Sequence, residues 1–138
     1  MGFSEIASLG EMGLSYQGAA VVTTSAFVKQ HENLVRRFTK AFVEGIHFYK
    51  SNKEASIRSV GRFMQLKDRE ALEETYQHYA LMMTPSVPYP SVEGIQNILS
   101  DLERENPKAK PTDPREFLDL RFVKELETSA FISQLYGK

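Results

Sequence analysis

Apolar positions recur along most of the chain at three- and four-residue spacing, the period of helices that bury one face. The longest run opens at Glu32 or Asn33 and reaches about Lys50. In it Leu34, Phe38, Ala41, Phe42, Gly45, Ile46 and Tyr49 form one stripe, with Glu32, Arg36, Arg37, Lys40 and Glu44 mostly on the other side. The spacing predicts an amphipathic helix that buries this stripe. "SNKE", Ser51 to Glu54, has the Ser-x-x-Glu form of a capping box and predicts a second helix carrying Ile57, Val60, Phe63 and Met64. Asp68 predicts the cap of a third, with Leu72, Tyr76, Tyr79 and Met83 on one face, and the prolines of "TPSVPYP" end it in an extended loop. Ser91 caps a fourth, with Val92, Ile95, Ile98, Leu99 and Leu102 on one stripe. After a solvated connection, "PKAKPTDP", the stretch "REFLDLRFVKELETSAFISQLYGK" predicts one or two short helices ending at Gly137.

Two stretches break the helical period. Residues 1–18 hold Gly2, Gly10, Gly13 and Gly18 and read as loop, with one short extended piece at Phe3 to Leu9. Ala19-Ala20-Val21-Val22-Thr23-Thr24 is small and β-branched and predicts a strand, followed by a short helical turn in "SAFVKQH". The expected fold class is therefore mainly α, with one or two short strands and five to six helices. A single strand leaves its backbone donors and acceptors unpaired, so Val21 and Val22 call for a partner.

Composition narrows the function classes. The 138 residues carry a net charge of -1, so no global basic field draws nucleic acid. Cysteine is absent, which excludes disulfides, thiolate metal sites and a Cys nucleophile and leaves the redox compartment undetermined. Met1-Gly2-Phe3-Ser4-Glu5-Ile6 lacks the basic and apolar regions of a secretory signal, and no apolar run approaches the roughly 18 residues of a membrane helix.

Candidate chemistry is sparse. His31, His47 and His78 have no metal-ligand spacing, and Ser15, Ser25 and Ser129 lack a nucleophile elbow. Glu73/Glu74, Asp101/Glu103/Glu105 and the Arg36-Arg37-Lys40 patch read as solvated helix faces. Phe38, Phe42, Tyr49, Tyr76 and Tyr79 fall at helical spacing and read as core. No metal or cofactor is implied. "SYQG" differs, because Tyr16, Gln17 and Gly18 place an aromatic, an amide and a flexible glycine in a loop directly before the expected strand, a usual place for ligand contacts.

The order "YQG…VVTTSAFVKQHENLVRRFTKAFVEGIHFYKSNKEAS", "ALEETYQHY", "PYPSVEGIQNIL" and "RFVKELETSAFISQLYG" resembles the C-terminal part of the substrate-binding proteins of nitrate/sulfonate/taurine-type ABC importers, a family with thiamine-precursor-binding relatives. The resemblance spans essentially the whole chain, and its most specific parts are Val21 to Tyr49 and Pro90 to Ile95. It implies a two-lobed type II periplasmic binding fold, with residues 1–18 ending the second lobe, 19–24 the returning hinge strand and 25–138 the C-terminal helical part of the first lobe. It implies a small anionic or polar solute, an ABC permease as partner, a periplasmic or cell-envelope location, and ligand contacts from Tyr16, Gln17 and Gly18. Most of both sheets, the N-terminal βαβ elements and the signal peptide would then lie outside this sequence, which leaves the strand free for self-association. Two other readings compete. One is a free-standing helical interaction or dimerisation module without ligand binding. The other is enzymatic, as in thiamine-precursor synthesis, but its reactive residues would lie largely outside these 138, and the expectation is no enzyme.

Overall fold

A computed structural model of the chain describes residues 6–7, 12–106, 108 and 112–137. The expected extended piece at Phe3 to Leu9 and much of "PKAKPTDP" lie outside the described residues. The protein is mainly helical, as its period predicts: α1 (Ser25–Gln30), α2 (Glu32–Ser51), α3 (Lys53–Met64), α4 (Arg69–Thr75), a π-helical segment (Tyr76–Met83), α5 (Val92–Glu103), a 3₁₀ turn (Pro114–Phe117), α6 (Arg121–Thr128) and α7 (Phe131–Leu135).

The expected strand at Ala19–Thr24 does not form, and no strand occurs among the described residues. All six residues are exposed, with Val21 at 57% and Val22 at 86%. β-Branched side chains favour extended backbone, but a ladder needs a second strand, and the described chain offers none. Thr24 instead caps α1, its hydroxyl accepting from the Phe27 N–H at 3.1 Å.

Contacts divide the chain into two compact units, one joining Met1–Val22 to Pro90–Asp119 and the other joining Thr23–Tyr89 to Leu120–Lys138. Residues 25–138 thus contribute to both. In the larger unit α2 is the spine, and it packs against α3, the π segment, α6 and α7. One core cluster gathers Ile57, Leu72, Tyr76 and Ala80, with Tyr49, Val60 and Leu66 beside it. The other gathers Val43, Leu126 and Ile132, with Val87, Phe131, Leu135 and Tyr136.

The buried side of α2 is only partly the expected one, for Ile46 is buried and Tyr49 half-buried but the rest of the predicted stripe is not. Val43 and Ile46 are buried, and Val35, Thr39 and Lys50 half-buried, whereas Leu34, Phe38, Ala41, Phe42 and Gly45 of the predicted stripe are exposed. The reason is that α2 carries two apolar arcs, and the polar anchors lie along the Val43 side. Arg36 donates to both carboxylate oxygens of Glu125 on α6 at 2.9 and 3.0 Å, and Lys50 Nζ donates to the Ala80 and Thr84 carbonyls at 2.6 and 2.7 Å.

The expected capping box at Ser51 also gives way. Ser51 ends α2, and Asn52 Nδ2 donates back to the Phe48 carbonyl at 3.2 Å, so α3 starts at Lys53 without a side-chain cap. Glu54 turns instead to Arg69. Asp68 caps α4 as expected, accepting from Glu70 N and Ala71 N at 3.0 and 3.2 Å. Beyond Thr75 the helix widens, with Thr84 N donating to Tyr79 O, five residues back, at 2.9 Å. The wider turn brings Leu72, Tyr76 and Ala80 into line and leaves Tyr79 and Met83, expected inside, exposed.

Asp68→Ala removes two hydrogen bonds to otherwise unpaired amide groups and should lower unfolding free energy by about 1 kcal/mol in urea titration. An unchanged midpoint would show that the cap contributes nothing.

Candidate functional site

In the smaller unit, the loop at Ser15–Gln17 is fastened to the first turns of α5. The Ser91 hydroxyl caps the helix, accepting from Gly94 N at 2.9 Å, while the Ser91 N–H donates to Gln17 Oε1 at 2.7 Å. Gln17 Nε2 donates to the Ala19 carbonyl at 2.7 Å, so both ends of this amide are engaged within the chain. Asn97 Nδ2 donates to the Ser15 carbonyl at 2.7 Å, and the Ser15 and Ser91 hydroxyls lie 3.3 Å apart.

Gly94 makes this approach feasible. A Cβ there would stand 2.8 Å from Gln17 N and 3.1 Å from Tyr16 C, inside van der Waals contact with backbone. Of the expected ligand residues, Gln17 therefore acts as the clasp of the loop. Tyr16 projects as a half-exposed ring whose phenol has no hydrogen bond among the described residues. Gly18 closes a tight turn, its N–H donating to Tyr16 O at 3.0 Å, and faces open space. Sequence reasoning named these three residues together but gave Ser91 only a capping role, weighed Ser15 only as a nucleophile, and gave no role to Gly94 or Asn97. The available signal was Gly94 itself, a glycine in the first turn of a strongly periodic helix, a position that calls for a packing reason.

The larger unit presents two other features. An open depression on α4 and the π segment is lined by Arg69, Glu70, Glu73, Glu74, Gln77, His78 and Met82. Along its edge Arg69 bridges Glu54 and Glu73, each at 2.6 Å, and Lys53 Nζ lies 3.2 Å from Glu73. Hydrogen bonds from Arg69 hold both carboxyls below the usual carboxylate range, and those to Glu54 and then Glu73 push the guanidinium up. All these side chains are solvated, so the network is an ordinary surface arrangement. His31, His47 and His78 each pack against an aromatic neighbour, Phe27, Tyr136 and Tyr79 respectively. No group of three metal-binding side chains occurs among the described residues.

The second feature is the outward arc of α2. Leu34 is 54% and Phe38 50% exposed, the Phe38 and Phe42 rings stack at 6.2 Å, and nothing lies within 4 Å of where a Gly45 Cβ would be. No helix among the described residues is long and apolar enough to cross a membrane.

Comparison with family models, curated proteins and solved structures finds no match to this chain.

Two outcomes test this geometry. Gly94→Ala would ordinarily gain about 0.8–1.0 kcal/mol of helix propensity, but crowding Gln17 and Tyr16 costs about 1–3 kcal/mol, so net destabilisation and faster proteolysis at residues 15–18 are expected. A stabilised, protease-resistant variant would refute the close approach. For the Arg69 network, carboxyls with lowered folded-state pKa contribute stability that is present above their unfolded values and lost as pH falls through the folded ones. Arg69→Ala should therefore reduce stability at neutral pH, and its difference from the parent should vanish in acid; a difference independent of pH in urea melts would contradict the assignment.

Proposed function

We propose that this chain is the C-terminal, lobe-covering part of the solute-binding component of an ABC importer of the nitrate/sulfonate/taurine type. Its solute would be small and anionic or polar, such as a sulfonate, nitrate or a thiamine precursor. It would work in the periplasm or cell envelope, bind without catalysing a reaction, and hand the solute to a permease. The observation that carries this reading is the Ala19–Thr24 segment. It is β-branched and exposed along its whole length, and it runs directly into the cap of α1. A segment of that kind suits insertion into a sheet supplied from elsewhere, where the N–H and C=O groups of Ala20 to Thr23 find partners.

Within this reading Tyr16 supplies the ligand contact, while Gln17 and Gly18 set the loop that presents it. The exposed arc of α2 supports the same reading, because a helix covering a sheet needs an apolar face. That arc equally favours a second reading, a helical interaction module that binds no solute.

Joining the chain behind the N-terminal two-thirds of a solute-binding protein of this type should give a soluble two-lobed protein. Solute at about a hundred times its Kd should then raise the unfolding free energy by about 2.7 kcal/mol, and Tyr16→Ala should weaken the response. A joined protein that folds but shows no thermal shift with sulfonates, nitrate or pyrimidines would leave the interaction module standing.

A further inference from the structure

We propose that the 138-residue chain by itself pairs with a second copy through the outward arc of α2, antiparallel and about a two-fold axis. The inference goes beyond solute binding, since it concerns what occupies this arc when no lobe is present to cover it.

The arc is a heptad seam. Leu34, Phe38, Ala41, Gly45 and Phe48 alternate at four and three residues, the spacing that keeps one line of side chains facing a neighbouring helix. All five are exposed. In an antiparallel pair each seam residue meets one of the other seam type, and one register matches large with small at four of the five positions, while Phe48 falls opposite the start of the helix. Leu34 stands opposite Gly45 of the partner subunit, Phe38 opposite Ala41 of the partner subunit, and the two-fold repeats both layers. Leu34 and Phe38 are then accommodated by residues with little or no side chain, and the helices can approach closely.

The charges select the same register. Arg37 and Glu44 are seven residues apart on one flank of the seam and both exposed. Neither has an ion pair within the chain among the described residues, whereas Arg36 is committed to Glu125 and Glu32, and Lys40 lies over the Phe131 ring at 4.6 Å. Antiparallel helices bring like flanks together, so the register that seats Leu34 on Gly45 sets Arg37 against Glu44 of the partner subunit, twice. A parallel pair would set Arg37 against a flank of the other type and lose this match.

Gly45 supplies an independent reason. A glycine inside a twenty-residue helix weakens it relative to alanine, and here no close approach within the chain accounts for it, since its Cβ position is open. Seating Leu34 of a second copy gives the position a use.

Light scattering and sedimentation of the 138-residue chain should report a dimer. Arg37→Glu should weaken it at least about tenfold by setting like charges together, and the double variant Arg37→Glu, Glu44→Arg should restore it. Gly45→Leu should abolish the dimer while raising helical content, as circular dichroism would show. A monomer across the concentration range overturns the proposal. So does association that ignores Gly45→Leu and is not rescued by the charge exchange, which would point to the Ala19–Thr24 segment or to sticking without register. Neither failure bears on the ligand response of the joined two-lobed protein, so the two readings fall separately.

Discussion

Val43 has no exposed surface, and because successive helix residues turn through about 100°, burying it settles where every other side chain of α2 points. Leu126 and Ile132 close over it from α6 and α7, and this places Arg36 against Glu125 and Lys50 against the end of the π segment. Once that arc is inside, Phe38 and Phe42 must face outward. The exposed aromatic surface is the geometric complement of the core, and both functional readings draw on it.

Lys50 fastens α2 to the π segment through both its ends. Its own carbonyl accepts from the Tyr76 hydroxyl at 2.6 Å, while its ammonium reaches two carbonyls at the far end of the π segment. A helix end leaves carbonyls without intrahelical partners, and a cation there satisfies them and suits the negative end of the dipole. The edge-to-face contact of Tyr49 with Tyr76, at 5.7 Å, packs the same corner. These contacts tie α2 to the wide turns and oppose their return to ordinary α geometry.

Helix positions were legible because capping is local. Asp68 and Ser91 sit where their helices begin, and Gly137 adopts the left-handed conformation at the end of the last. The facing of α2 was not legible, since a helix with two apolar arcs has two equally periodic solutions and only tertiary partners choose between them. The phase of Tyr79 and Met83 failed for a related reason: it assumes 3.6 residues per turn where the chain uses more. Tyr16 and Gly18 were recognisable as loop residues, but Gln17 could not be seen as a clasp, because its acceptor role depends on an amide far along the sequence.

That distance has a kinetic side. Gln17 and Ser91 are 74 positions apart, and the residues between them include most of the larger unit. Closing a flexible loop of that length costs on the order of 4 kcal/mol in chain entropy. A folded insert is no longer flexible, so the cost falls once α2 to the π segment have assembled. The smaller unit is thus discontinuous in sequence and conditional in folding: its two strips gain their mutual hydrogen bonds late, and mutations that loosen the larger core should slow its formation without touching one of its own contacts.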